Sequence, residues 1–483
     1  MPADIPNAKA RAASGSSHGK LANARAEIYT ERHESMRSRM ATGKALRDEV
    51  SRLSHGSFKR SDDVDPLAIL ADQERTRLPK LVPIRHARML TSPFAFLRGS
   101  AAIMAADLAT RPTTSFTVQA CGDMHVSNFG VYGSAERRLI FAINDFDETL
   151  PAPWEWDVKR LAASAYVASE HLDGNRKHCQ EAAWAVVAGY QEHLRSYAHM
   201  GYLETWYDCI DSDRVLRSLS SEARSRAEIY FDKARTRTHL QVLDKMTDLI
   251  DDRHRIVEDR PFIVRERRTS TGRPIKDALG HFLLSYMDSL APERRLLLSR
   301  YRVLDVARKM VGVGSVGTGC WVVLMQGEDS TDPLFLQIKE AQPSVLAPYQ
   351  SPSSSNGNEG RRVVNGQRLI QGSSDIFLGW GELDGTHFYV RQLRDMKGGV
   401  DLEPGVRPDD FVEYCGLCGW GLALAHAKSG DPAMISGYIG KSDEFLESIV
   451  HFAATYAEQT ERDFDTLVAA AKNGKLKVAA KGY

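Results

Sequence analysis

Residues 121–147 read CGDMHVSNFGVYGSAERRLIFAINDFD. The stretch holds five side chains able to bind a metal or move a proton, in two short clusters: Asp123, His125 and Asn128 in the first, Asp145 and Asp147 in the second. The apolar run Leu139–Ile143 predicts a strand leading into the second cluster, and the segment between the clusters reads as a hairpin. Such a density of polar chemistry beside a predicted strand is expected of a catalytic loop.

A carboxylate, a carboxamide five residues on and a second carboxylate at a strand end form the set used in kinase-type phosphoryl transfer. In that chemistry Asp123 orients or deprotonates the acceptor hydroxyl, while Asn128 and Asp145 hold magnesium on the nucleotide phosphates. Magnesium takes hard oxygen ligands and few protein groups, so these two residues with phosphates and water suffice. Asp147 is a further metal candidate and His125 a further proton-handling one. The same residue types also suit two loops of an unrelated fold, because Asp and Asn are ordinary turn formers. A third reading makes Asp123, His125, Asp145 and Asp147 a metallohydrolase cluster, against which stands the absence of a second histidine nearby in sequence.

Phosphoryl transfer calls for two more parts, a glycine-rich phosphate cover and a lysine on a neighbouring strand. Residues 311–324, VGVGSVGTGCWVVL, carry Gly312, Gly314 and Gly317 in G-x-G-x-x-G spacing, with Ser315 between them and Gly319 beyond. A dinucleotide fingerprint opens a helix, whereas a kinase-type loop turns back into a strand. The β-rich run 320–324 favours the strand. A second strand, LFLQIK, then ends in Lys339, the position of a phosphate-gripping lysine. As structure alone, these would be a flexible hairpin and a surface lysine.

The chain resembles the bacterial family catalogued as domain of unknown function 2252 over roughly residues 40–470. The resemblance rests on RMLTSPFAFLRGSA (88–101), CGDMHVSNFG (121–130), NDFDETLPAPWEWDVKRLAAS (144–164), VGVGSVGTG (311–319), FYVRQLRDMKG (388–398) and LALAHAKSGD (422–431). GDMHVSN and the following DFD are also similar to the aminoglycoside phosphotransferase branch of the protein-kinase-like fold, with its H-G-D-x-H-x-x-N and I-D-[WF] patterns. That resemblance implies Asp123 as catalytic base, Asn128 and Asp145 as magnesium ligands, and Asp157 as the brace of the catalytic loop.

Two departures stand out. In ordinary kinases the glycine loop and lysine precede the catalytic loop; here they follow it by nearly two hundred residues, which implies circular permutation. Residues 409–430 then read as a helix returning to the large lobe, capped by Asp409 or Asp410 and ended by Gly430. The second departure is the glutamate that should pair with the lysine. The predicted small-lobe helix, residues 361–373, has no acidic residue, which leaves Glu359 or Gln367 as substitutes.

The expected fold is therefore α+β, a permuted two-lobed kinase-like fold with a mostly helical large lobe and a small antiparallel-sheet lobe. Residues 1–20 are expected as a disordered tail, 21–300 as the large lobe, 301–400 as the nucleotide-binding lobe and 401–483 as returning helices. Helical patterns run over 154–197, 218–249, 281–304 and 452–471. Residues 375–393 read as a hairpin about Asp384-Gly385, and Gln392 opens an adenine-side hinge.

Lysine plus arginine equals aspartate plus glutamate at 63 each, so no global field recruits nucleic acid or an anionic membrane. Arg98 reads either as a phosphate contact or as an ordinary bracing salt bridge. Cys415 and Cys418 read as small core residues of an apolar helix. Residues 1–20 lack the apolar core of a secretory signal, and no run of eighteen apolar residues occurs, so a cytoplasmic location is expected. The functional expectation is phosphoryl transfer from ATP, with magnesium, to a hydroxyl of an unidentified small molecule or protein. Nucleotidyl transfer and a nucleotide-binding pseudokinase are the alternatives; the oligomeric state is not legible.

Overall fold

The helix Trp154–His171 is buried along every residue from Trp154 to Ser169, as befits the axis of a helical body rather than a surface element. The structure is a computed structural model that describes residues 34–237, 239–250, 253–269, 272–310, 312, 316–350, 357–393 and 396–480. The expected tail, residues 1–20, lies outside the described residues, as do Gly314 and Ser315 of the glycine loop.

Helices Arg176–Ala198, Pro408–Ser429, Pro432–Ile439 and Glu444–Lys472 surround this axis. Two of them meet backbone to backbone. A Cβ on Gly419 would lie 2.1 Å from the Val186 carbonyl oxygen, and one on Gly189 would lie 2.4 Å from that of Gly416. Glycines at this crossing let the Pro408–Ser429 helix sink against Arg176–Ala198, which carries it to the centre of the body. Its start differs from expectation: Arg407 occupies the N-cap, while Asp409 and Asp410 lie in the first turn, where Asp410 pairs with Arg226. Cys415 and Cys418 of this helix are fully buried thiols of the core.

Strands β1 (Thr117–Ala120), β2 (Phe129–Gly133), β3 (Leu139–Ile143), β4 (Leu150–Pro153) and β5 (Ile210–Asp211) belong to this body. β1 pairs with β4, and β2 with β3, all antiparallel. The β2–β3 register sets Phe129 opposite Ile143, and the Asn144 amide donates to the Asn128 carbonyl at 2.8 Å. The hairpin thereby sets the two polar clusters side by side at its open end.

Strands β6 (Thr247–Ile250) and β7 (Arg253–Ile256) form a separate ribbon, so the helical pattern over 218–249 ends at Met246. Strands β8 (Ile263–Val264), β9 (Arg302–Lys309), β10 (Cys320–Gln326), β11 (Pro333–Glu340), β12 (Gly379–Leu383) and β13 (Thr386–Gln392) build a six-stranded antiparallel sheet in the order β12-β13-β11-β10-β9-β8. A short β14 (Gly398–Gly399) returns to pair with β2. The glycine-rich segment joins β9 to β10 and turns back into a strand. Asp384 and Gly385 make the β12–β13 turn with φ of 51° and 78°, the left-handed pair a two-residue hairpin needs.

Alternation along the strands covers both faces of the sheet. Val323 and Leu336 pack against Phe282, Tyr286 and Leu290, whereas Val322, Leu324 and Phe335 pack against Val242, Leu243 and Ile256. The helices Ile275–Asp288 and Pro292–Leu298 thus pack on the sheet. The helix expected to continue to residue 304 stops at Leu298, and branched residues such as Val303 and Val306 enter β9. No helix among the described residues is long and apolar enough to cross a membrane.

Gly419→Leu is expected to destabilise the body by about 1–3 kcal/mol through overpacking. A lowered thermal midpoint relative to wild type checks this; an unchanged one would contradict the close helix crossing.

Candidate functional site

Charged residues in a buried helix need partners, and Asp157 and Arg160 of Trp154–His171 find them in residues 121–123. Asp157 accepts hydrogen bonds from the Cys121 amide at 2.7 Å and the Gly122 amide at 3.0 Å. His426, from the Pro408–Ser429 helix, lies 3.4 Å from the same carboxylate and contacts the Tyr190 hydroxyl at 2.8 Å. One turn along, Arg160 holds Asp123 with Nε at 2.9 Å and an Nη at 2.6 Å, and donates to the Leu97 carbonyl at 2.8 Å. Three residues separate Asp157 from Arg160, so both face one side of the helix.

Burial pushes the Asp123 carboxyl above the usual aspartate range, against the pull of Arg160. Its backbone carbonyl accepts the Asn128 Nδ2 hydrogen bond at 2.6 Å, which leaves the Asn128 Oδ1 as the hard oxygen available to a cation. His125 is buried beside Asp123, with its Nε2 3.8 Å from an Asp123 oxygen. Burial, reinforced by Arg98 and Arg160, holds its imidazole neutral.

Lys339 sits on β11, opposite Cys320 of β10 and Tyr389 of β13, and is only 2% exposed. It is no surface lysine. Its ammonium pairs directly with Asp147 and lies 3.8 Å from Asp145. Burial would pull it down, but Asp145 and Asp147 hold it well above the ordinary lysine range. Burial likewise pushes Asp147 up, yet Lys339 and the Tyr389 hydroxyl, which donates at 2.6 Å, bring it below the aspartate norm. Asp145 keeps 38% of its side chain exposed to the cleft. The lysine's partner is therefore the second aspartate of DFD, not a group on the helix Glu359–Ile370. Glu359 pairs instead with Arg362, and Gln367 donates to Gln371 at 2.9 Å. Arg362 in turn donates to the carbonyls of Asp147 at 2.9 Å, Thr149 at 2.7 Å and Gln342 at 2.7 Å, clamping the exits of the metal-loop segment and of β11 together.

Two cavities adjoin at Asp145 and Gly312. The first, about 940 Å³ including its mouth, is lined by Asp123, His125, Asn128, Asp145, Asp147 and Gly312, together with Arg77, Arg98, Thr318 and Glu148. The second, about 1670 Å³, has Asp145, Gly312, Lys339, Arg391 and Leu393 in its wall. Gly317 lines neither. Its φ is +97°, its carbonyl accepts the Leu78 amide at 2.8 Å, and Arg77 packs against it. Gln392 lines neither of these two but a third cavity, with Tyr132, Asp375 and Arg391.

Four residues of this site escape sequence reasoning. Arg160 follows Asp157 in WEWDVKR and could have been found from the helix face they share. Tyr389 faces Lys339 only through strand register, which has no local signal. Arg77 donates to the Val316 carbonyl at 2.6 Å and so reaches the glycine loop from far upstream. Glu148 directly follows the DFD motif; its carboxylate accepts the Val345 amide at 2.7 Å. Burial, with Asp147 and Asp123 nearby, pushes Glu148 up to about 7.

The donor set fits a magnesium-bound nucleotide in its chemistry: Asp145 and the Asn128 Oδ1 are hard oxygens, and Lys339 offers a cation to phosphate. Among the described residues no three His, Cys, Asp or Glu side chains are gathered to hold a metal ion, so the metallohydrolase cluster does not form.

Glu148 also carries a pH signature. A folded carboxyl raised above its unfolded range contributes stability that is full below about pH 4.5 and is lost as pH rises through about 7. Glu148→Gln is therefore expected to raise the thermal midpoint of the metal-free protein at pH 8 relative to wild type, with the difference vanishing near pH 4.5. Parallel midpoints across that range would contradict the assignment.

No curated protein and no solved structure matches the chain. A family model described as "Uncharacterized protein conserved in bacteria (DUF2252)" matches residues 77–470. The match takes in the Asp123 loop, the DFD segment, Lys339 and the Pro408–Ser429 helix alike, and the chain is a member of the DUF2252 family.

Proposed function

We propose that this protein is an ATP- and magnesium-dependent phosphotransferase acting on a hydroxyl acceptor, built as a circularly permuted kinase-like fold. The observation that carries the reading is convergence: Asp123, Asn128 and Asp145 line one cavity, and Asp145 also lines the adjoining one with Lys339, whose ammonium lies 3.8 Å from it although the two are far apart in sequence. Lys339 stands on the third strand of the β9-β10-β11 meander, where a kinase-type site carries its phosphate-binding lysine. Permutation is supported where the Pro408–Ser429 helix ends. Ser429 accepts the Gln119 amide at 3.2 Å, and a Cβ on Gly430 would meet Val118 at 2.6 Å. The returning helix thus abuts the strand that leads into Gly122-Asp123, so an unpermuted connection would be short.

Bound Mg·ATP would supply the transferable phosphoryl group and neutralise the charge that develops on it. In this reading Asp123 accepts the acceptor's hydroxyl proton, with Arg160 fixing its orientation. Asn128 and Asp145 hold the metal. Lys339 contacts phosphate, positioned by Asp147 and Tyr389 in place of the missing helix glutamate. A carboxylate partner for the lysine supports turnover over a binding-only role.

Nucleotidyl transfer remains the second reading, favoured by the second cavity. Arg237, Lys245, Lys309, Lys339, Arg391 and Lys397 line it against Asp145 and Asp401, a field that suits a triphosphate as well as a base. A nucleotide lying with its phosphates there would present a different phosphorus to the acceptor.

Mg·ATP at about 100 times its dissociation constant should add about 2.7 kcal/mol and raise the thermal midpoint. The rise should disappear in Asp145→Asn and persist in Asp123→Asn, whose turnover should fall by about 10²–10⁴. ADP as product supports phosphoryl transfer, pyrophosphate supports the second reading, and no midpoint shift at millimolar nucleotide would sink both.

A further inference from the structure

Arg98 occupies the last turn of the helix Pro93–Gly99, and the backbone around it is fixed from both sides. Arg160 donates to the Leu97 carbonyl at 2.8 Å and the fully buried Arg85 to the Gly99 carbonyl at 2.7 Å. A Cβ on Gly99 would meet Met89 at 2.8 Å, so the helix end is also tightly packed. The Arg98 side chain is what this scaffold leaves over. It makes no hydrogen bond and no ion pair to any described residue, and its Nε is buried without a partner. Its one resolved contact is with the ring of Phe94, 5.7 Å from the centroid. The bracing salt bridge that its sequence position suggested does not exist among the described residues.

A part-buried guanidinium without a carboxylate is costly unless something else satisfies it, and its fork geometry suits carboxylate and phosphate groups. Arg98 lines the cavity that holds Asp123 and Asn128, and it is absent from the wall of the Lys339 cavity. Asp123 is the carboxylate that acts on its charge. Four of the five carboxylates of this cavity are engaged elsewhere, Asp123 with Arg160, Asp147 with Lys339, Glu148 with the Val345 amide and Glu340 with the Gly319 amide at 2.8 Å; the fifth, Asp145, is open and makes no ion pair with Arg98. A second, independent observation lies beside it. His125 is 4% exposed, lines the same cavity, and its Nδ1 has no hydrogen-bond partner among the described residues.

We infer that Arg98, with His125 beside it, forms an anion subsite on the acceptor side of Asp123, so that the acceptor is a hydroxyl compound that also bears a carboxylate, phosphate or sulfate group. The inference rests on the phosphotransferase reading and narrows it. Arg98 takes the anionic group, and the hydroxyl is left facing Asp123.

The same guanidinium could instead read the nucleotide's own terminal phosphate, and the test separates the two. Inorganic phosphate is titrated calorimetrically into the full-length protein, first alone and then saturated with magnesium and a non-hydrolysable ATP analogue. Phosphate binding that survives saturation, and that weakens about tenfold or more in Arg98→Gln, is the expected result. Arg98→Lys should retain part of it, and both variants should bind the analogue within about threefold of wild type and unfold at its midpoint, since Arg98 braces nothing. Phosphate binding abolished by the analogue, or analogue affinity lost in Arg98→Gln, would overturn the inference by assigning Arg98 to the nucleotide. Equal phosphate binding by wild type and Arg98→Gln, or none by wild type, would overturn it while leaving the phosphotransferase reading intact. Failure of the analogue to bind at all would remove that reading and the acceptor assignment with it.

Discussion

Everything at this site depends on how one buried helix disposes of its charges. Trp154–His171 carries Glu155, Asp157, Lys159 and Arg160 into the core, where an unpaired charge costs several kcal/mol. Each is matched to a group the fold must therefore bring to it. Glu155 takes the Thr114 amide at 2.7 Å and its hydroxyl at 2.6 Å; Lys159 lies over the Phe452 ring at 5.0 Å. Asp157 and Arg160 take the Gly122 turn and Asp123. Their pairing does two things at once. It satisfies the helix, and it fixes the segment from Cys121 to Asp123 against a rigid element.

The same logic divides labour within NDFD. Phe146 is buried at 1% exposure and anchors the segment. Its neighbours then face the cleft, but with different fates. Asp147 is consumed by Lys339 and Tyr389, which holds the lysine charged in a buried place and defines where its ammonium stands. Asp145, tied only loosely to that ammonium, retains an exposed carboxylate. Glu148, one residue further, is pushed up to about 7 by its burial, with two aspartates adding to the shift. Three acidic groups within four residues are thus made into a fixed counter-ion, an open oxygen donor and a titratable group by packing alone.

Legibility in the sequence followed the range of the interactions. The β2–β3 hairpin, the Asp384-Gly385 turn, the glycine segment turning into β10 and the burial of the returning helix have local signatures, in alternation, turn residues and apolar runs. They were readable for that reason. The partner of Lys339 was not, because Asp147, 192 residues away, reaches it only once β11 and the DFD segment are clamped by Arg362. The helices of residues 275–298 carry the ordinary amphipathic pattern of any helix, and nothing local says which layer they cover.

The glycine segment is tied to the helical body as well as to its own sheet. Arg77 and the Leu78 amide hold the carbonyls of Val316 and Gly317, and Arg88 reaches that of Gly312. Val316 and Met310 share a small apolar cluster with Leu81 and Ile84, and the Ala479 amide donates to the Pro83 carbonyl at 2.9 Å. Residues well before Cys121 and residues after the Pro408–Ser429 helix thus bear together on Gly312, Val316 and Gly317, between β9 and β10. The cleft is therefore braced on both walls, by Asp157 and Arg160 below and by Arg77 and Arg88 above. Of the arginines around it, Arg98 is the one whose guanidinium the fold leaves uncommitted.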